Sequence, residues 1–359
     1  MKSNLAQLTQ AVRRNCDISD ARHAGDYGLC TFLLKMREYY RWENELPFSD
    51  PLTRSELGKW LQSREQHWDG IQHDAFTPLP LARGELDPFE AAAANHDLLP
   101  EGLVYSAGYG RFQKPVFFLG KLLRAEQRAG LSILISSCEY ARELAAPPAM
   151  LQGRTIFVRE ESVRRYLWEK IDEWQLRKQN QAMTRALASY EFSAGTEAAL
   201  ARMTGNEAES MILHELGEAM AGEVLGDSWG EMTASLARSR TEPVVRAIRD
   251  LLADCLSTLP TLIERANLPA LHFHFATFDA PRRELFPQAL RAYERFSADG
   301  DLGPLGHVVQ EGKERWLAEA RRLLGLEPVA RLSAIESMLD EAAGANPQRG
   351  AVPAPALTV

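Results

Sequence analysis

Apolar residues recur at three- and four-residue spacing over most of this chain. Between Leu103 and Val158 they give way to β-branched and aromatic runs broken by glycine and proline. The first pattern predicts helices and the second predicts strands. Residues 4–16 place Leu5, Leu8 and Val12 on one face, a short first helix. Asp17 or Ser19 can cap the next helix, and Leu29, Leu33, Met36 and Tyr40 carry it to about Trp42, with Pro47 and Pro51 beyond its end. Ser55 to Trp68 reads as a third helix with Leu57, Trp60, Leu61 and Trp68 on its buried side. Residues 74–100 read as loop with one short helix after Asp87-Pro88, where an aspartate caps and a proline fits the first turn.

The runs LVYSAGYGRF, KPVFFLGKLLRAEQ, LSILISSCEY and RTIFV predict a small, mainly antiparallel β-unit or partly open barrel, with Arg128-Ala129-Gly130 as a turn. Helical spacing returns at Glu160 and runs to about Asn180, then near 183–200 and 206–225. Thr241-Glu242-Pro243 starts a long helix to about Ala266. PALHFHFATF (269–278) alternates as a strand does, and helices then fit 282–297, 304–324 and 328–343. The fold class expected is mainly α with a β-rich insert, an α+β protein. Its parts are a helical N-terminal segment (1–73), a linker with a short helix (74–100), a β-rich unit (101–158), a helical domain (159–343) and a disordered tail (344–359) that carries three prolines and no apolar periodicity.

Composition narrows the function classes. A chain of 359 residues with 45% hydrophobic and 25% charged residues is ordinary for a soluble globular protein, and its formal net charge of −8 disfavours nonspecific nucleic-acid or acidic-membrane binding. No apolar run approaches the roughly 20 residues that span a bilayer, and the N-terminus has no signal-peptide pattern. The four cysteines, Cys16, Cys30, Cys138 and Cys255, lie far apart without a CxxC pair, which predicts no disulfide, buried thiols and a cytoplasmic setting.

The strongest chemical lead is ESMILHELGEAMAGE (209–223). His214 and Glu218 lie four apart and share a helix face, with Glu215 beside them. HELGE resembles the HExxH signature of zinc metallopeptidases, with Glu218 where the second histidine stands. That resemblance implies His214 and Glu218 as metal ligands and Glu215 as the general base. Asp250 and Asp254 are also four apart, and face His214 and Glu218 if their helix packs against 206–225. One histidine and three carboxylates suit Mg, Mn or a di-iron centre better than structural zinc, although the Glu-x-x-His pairs of di-iron bundles are missing. Arg246, Arg249 and Arg265 are the competing partners of these acids. His272 and His274, on one face of the expected strand, complete the candidate metal ligands.

Other clusters are weaker. Asp17, Asp20, His23, Asp26 and Tyr27 fall within three turns. Asp20, His23 and Tyr27 share a face, an acid–base or ligand cluster; with Arg22, Lys35, Arg37 and Arg41 downstream an anion site is an alternative, and a capping and charge network is the favoured reading. SAGYGRFQKP (106–115) lacks the glycines of a dinucleotide or phosphate loop, so Arg111 and Lys114 read as turn residues. Two longer runs, NCDISDARHAGDYGLCTFLLKMREYYRWE and LADCLSTLP (252–260), resemble an uncharacterised bacterial protein family. That resemblance implies one architecture over most of the chain and no assigned activity. The expected function is a metal-dependent hydrolase or oxidase centred on the HELGE helix, with Zn, Mn or Fe and a small-molecule substrate. The alternative is a non-enzymatic binding or assembly module with a protein partner, using the aromatic and basic residues of 27–68 and the loop at Arg111.

Overall fold

The computed structural model describes residues 4–110, 113–236 and 239–344. The chain divides into two compact units, Met1–Arg177 with Tyr190–Ile212, and Lys178–Ser189 with Leu213–Val359.

In the first unit, helices α1 (Leu5–His23), α2 (Leu29–Glu43) and α3 (Arg54–Ile71) precede a short hairpin, β1 (Leu79–Leu81) and β2 (Gly84–Leu86), and helix α4 (Ala91–Leu98). Asn4 caps α1 by accepting from the N–H groups of Ala6 and Gln7, and the helix runs seven residues beyond the sequence expectation. Strands β3 (Leu103–Tyr109), β4 (Pro115–Arg128), β5 (Leu131–Arg142), β6 (Ala149–Gln152) and β7 (Thr155–Arg159) form one curled sheet in the order β3-β4-β5-β7-β6. Every pairing is antiparallel except β5 with β7. The turn from β4 to β5 falls at Ala129 and Gly130, both with positive φ.

Both faces of β3 and β4 are covered, so successive residues enter different cores. Leu103, Tyr105, Phe117 and Leu119 pack with Leu8, Val12 and Cys16 of α1, while Val104 and Phe118 pack with Leu134 and Phe157. The stretch 74–100, expected as linker, joins the first of these cores through Leu79, Leu81, Ala94 and Leu98. Helix α5 (Glu160–Arg177) follows β7 directly and packs against β5.

The second unit begins with α6 (Gln181–Ala188). Helix α7 (Thr196–Leu225) contributes to both units, with the division after Ile212. It starts ten residues before the expected 206. Then come α8 (Asp227–Ser235), α9 (Glu242–Ala253), α10 (Leu259–Glu264), α11 (Leu268–Ala276), α12 (Ala280–Leu285), α13 (Pro287–Asp299), α14 (Gly303–Leu324) and α15 (Pro328–Gly344). Residues 254–258, between α9 and α10, form a turn of π-helix, where the N–H of Leu259 bonds back five residues to the Asp254 carbonyl. Pro260 supplies the cause. It has no N–H, and its ring collides with the carbonyl four residues back, so the helix widens before it.

The stretch 269–278 is not a strand. It forms α11, because Asn267 accepts from the Ala270 N–H as an N-cap and Pro269 sits in the first turn. The His-Phe alternation read as a strand is then a helical sequence with Leu271, Phe273 and Phe275 buried. Among the described residues no helix is long and apolar enough to cross a membrane. The expected tail from Ala345 onward, and Arg111, lie outside the described residues.

Candidate functional site

The site grows from a close crossing of α7 and α9. A Cβ built on Gly217 would stand 2.3 Å from the carbonyl oxygen of Ala253, so backbone meets backbone there. Glycine is what the approach requires, and it sits inside HELGE. One turn earlier on α7 stands His214, and one turn earlier on α9 stands Asp250, with Asp254 just past the crossing.

His214 Nδ1 lies 2.9 Å from Asp254 Oδ1, and its Nε2 lies 3.9 Å from Glu218 Oε1. His214, Glu218 and Asp250, all half-buried, can each offer one ligand atom, and these atoms fall within 4.8 Å of one another. Asp254 is fully buried behind them. Its Oδ2 accepts from Arg282 Nη1 at 3.2 Å and lies 3.7 Å from His274 Nε2. Arg249 holds the other oxygen of Glu218, and Asp279 accepts from Arg282 Nε at 3.1 Å.

Burial and charge act against each other here. Burial pushes the His214 imidazole down, but the adjoining Asp254 carboxylate outweighs it and raises the group to about 10. Burial raises Asp250 to about 6, with Glu218 adding and His214 opposing. Asp254 would be raised by burial, yet His274, His214 and Arg282 hold it far below the usual carboxylate range. Burial lowers His274 to about 4, so it is neutral near pH 7, and its buried Nε2 has no hydrogen-bond partner. An ionised Asp254 can only accept, so His214 donates from Nδ1 and turns Nε2 toward Glu218 and Asp250.

Of the candidate ligands, His214, Glu218, Asp250, Asp254 and His274 come together. His272 does not. Two residues apart on a helix, rather than a strand, His272 and His274 point about 200° apart. His272 Nδ1 instead meets the Tyr293 hydroxyl at 2.9 Å and its ring stacks on Phe296. Glu215 is buried, one position and about 100° around the helix from His214, and is not among the converging ligand atoms. Of the competing arginines, Arg249 takes Glu218 and Arg246 takes Glu242. Arg282 and Asp279, which complete the site, had no sequence signal, since their helix lies 28 residues from Asp254. Gly217 carried a signal in its spacing, a small residue one turn after a ligand-type histidine.

The α1–α2 acids form a charge network. Asp20 pairs with Lys114, His23 with Asp26 at 2.8 Å, and Asp17 accepts from Arg64 and from the Trp68 indole. The rings of this region face inward, Tyr39 and Trp68 being buried. The thiols are all free, but only Cys16 and Cys255 are buried. Cys138 is half-buried and Cys30 is exposed, because α2 turns that face outward.

No curated protein and no solved structure matches this chain. Residues 7–159 match the N-terminal domain of a family of unknown function, DUF6866, and residues 164–342 match its C-terminal domain. The candidate site lies wholly within the second match. With matches in sequence order along nearly all its length, the chain belongs to the DUF6866 family.

Proposed function

We propose that this protein is a metal-dependent enzyme, a hydrolase or an oxidase, that holds a divalent cation between His214 Nε2, a Glu218 oxygen and an Asp250 oxygen. The observation that carries the reading is the His214–Asp254 hydrogen bond, which commits one ring nitrogen and leaves the other toward two carboxylates. A metal-ligating histidine almost always bonds a carboxylate or carbonyl through its second nitrogen. The charge inventory fits as well. Four carboxylates, Glu218, Asp250, Asp254 and Asp279, stand against two guanidiniums, Arg249 and Arg282, an excess of negative charge that a cation would offset.

One imidazole and two carboxylates form a hard donor set suited to Mn, Fe or Zn, and opposed ligands at about 2.1 Å from an ion stand about 4.2 Å apart, near the span here. When bound, such an ion supplies Lewis-acid polarisation of an oxygen on the substrate. The chain's own residues have separate tasks. Asp254 orients His214, Arg282 holds Asp254, and Arg249 fixes the Glu218 carboxylate so that one oxygen faces the site. His274, neutral, stands with its Nε2 3.7 Å from Asp254 and outside any hydrogen bond among the described residues. Glu215 has no part in this arrangement.

A second reading is a binding or assembly module, in which a protonated His214 supplies the positive charge. It is favoured by one observation. Helix α2 turns Leu29, Leu33 and Leu34 outward at 73, 44 and 53% exposure. Elemental analysis of protein purified without chelator separates the two, together with melting temperatures of wild type and His214→Ala with and without added Mn, Fe or Zn. The metal reading expects bound metal and a metal-dependent melting temperature in wild type, both lost in the variant. Metal-free wild type whose melting temperature ignores all three ions leaves the second reading standing.

A further inference from the structure

The first unit holds two deeply buried arginines at neighbouring places in its sheet, and they are treated differently. Arg159, ending β7, is fully partnered. It bonds both oxygens of Glu139, at 3.2 and 2.7 Å, and Glu143 at 3.3 Å. Arg142, ending β5, is 1% exposed; among the described residues it makes no ion pair, its Nε and Nη2 have no hydrogen-bond partner, and the Glu139 carboxylate that acts on it is already bonded to Arg159. Its guanidinium rests over the rings of Trp42 and Tyr39, 5.1 and 5.5 Å from their centroids. A buried cation without a carboxylate is a strongly unfavourable arrangement unless something else supplies the negative charge.

Arg142 lines a cavity of about 370 Å³ that it shares with Arg41 of α2 and Arg164 and Arg165 of α5. Each of these three also has an Nε with no hydrogen-bond partner among the described residues, although that of Arg41 lies 3.7 Å from a Glu38 oxygen. Arg41 spends Nη1 on the Pro47 carbonyl and Arg165 spends its Nη groups on Glu169 and the Ala146 carbonyl, so both are held in place. The carboxylates at the cavity do not neutralise the group. Glu45 and Glu197 are exposed at the rim. Glu38 is engaged by Arg37, and Glu161 accepts from the Glu139 N–H. Burial raises both of the latter carboxyls, opposed by Arg37 and Arg41 at Glu38 and by Arg142 and Arg159 at Glu161. Trp42 and Phe48 supply apolar wall.

We infer that this cavity is a phosphoryl-group site, taking a small phosphomonoester whose organic part lies against Trp42 and Phe48. Four guanidiniums lining one cavity exceed what one carboxylate accepts, and suit the three terminal oxygens of a phosphate. The volume is that of a small-molecule site. The site lies in the first unit, has no residue in common with the metal cluster, and stands or falls independently of it.

The test is calorimetric titration and thermal melting of the full chain with inorganic phosphate and with phenyl phosphate, against sodium chloride at matched ionic strength. Saturable binding and a raised melting temperature are expected, with affinity reduced roughly tenfold or more in Arg142→Met and in Arg164→Gln. Arg142→Met removes a charge that has no partner, so its unliganded form is expected to melt no lower than wild type. Arg164→Gln, at a half-buried position, gives a second reading should the first variant fold poorly. Tighter binding of phenyl phosphate assigns an organic phosphomonoester. Equal binding assigns free phosphate to the same site. No response of wild type beyond the chloride control, or an undiminished response in both variants, overturns the inference.

Discussion

His214 on α7 and Asp254 at the end of α9 are joined side chain to side chain at 2.9 Å, 40 residues apart in sequence. The bond ties the HELGE helix to the one buried carboxylate that also faces Arg282 and His274. Asp254→Asn keeps the shape and removes the charge. His214 then faces a neutral acceptor in place of a charged one, and Arg282 loses one of its carboxylates, keeping its bond to Asp279. The expected outcome is a 10–100-fold loss of metal affinity, read by metal titration. Stability is expected to fall by about 3–5 kcal/mol, as for other broken buried pairs, read by denaturant unfolding. Unchanged affinity and stability would show that Asp254 is a bystander.

The backbone crossing at Gly217 predicts a contrast between two glycines of one helix. Gly217→Ala places a methyl 2.3 Å from the Ala253 oxygen, while a methyl on Gly222 meets nothing within 4 Å. Alanine favours a helix over glycine by about 1 kcal/mol. Gly222→Ala is therefore expected to raise stability by about that amount. Gly217→Ala is expected to lower it by about 1–3 kcal/mol, because α7 and α9 must part, and to loosen metal binding with it. Equal effects in urea unfolding would remove the crossing as an explanation of the site.

Glu207, buried in the first unit, predicts a pH dependence separate from the metal cluster. Burial raises its carboxyl to about 8, partly opposed by a hydrogen bond with Tyr190. A carboxyl raised in the folded state favours folding in its protonated form. Its contribution is full below the unfolded value of about 4.5 and is lost as pH rises through about 8. Glu207→Gln abolishes that loss. The stability gap between variant and wild type is expected to widen between pH 5 and pH 8 by up to about 1.4 kcal/mol per pH unit. A gap that stays constant in melts across this range contradicts the assignment.

The thiols give a kinetic prediction. Four free thiols are expected in denaturant without reductant. In the folded protein Cys30 is expected to react first with a thiol reagent and Cys138 more slowly. Cys16 and Cys255, buried and with thiols pushed up by that burial, are expected to react only on unfolding. Rapid native reaction of three or more thiols would show that α1 or the π-turn opens readily.

Much of the architecture was legible because its signals are local. The 3.6-residue period of α2, α3 and α5, the strand runs around Arg128-Ala129-Gly130, and the Thr241 start of α9 each depend on neighbours in sequence. The α11 segment went astray because the period-2 pattern of HFHF was weighed above the Asn267 cap and Pro269, which fix the first turn before any periodicity acts. The pairing of His214 and Glu218 with Asp250 and Asp254 was readable as two i, i+4 pairs. Arg282, Arg142 and the cavity beside Arg142 were not, because a guanidinium's partner is set by tertiary packing, and an absent partner leaves no mark in the sequence.

The π-turn at 254–258 has a genetic consequence. It holds one residue more than an α-helical turn over the same stretch, so the chain carries a built-in length allowance at this point. Loss of one codon after Asp254 removes that allowance. It leaves Asp250 and the α7 crossing where they are, and rotates the chain beyond by about 100°. His274 and Arg282, which both reach Asp254 from that downstream chain, would lose it together. The two flanks of the site are thus phased by a single residue count.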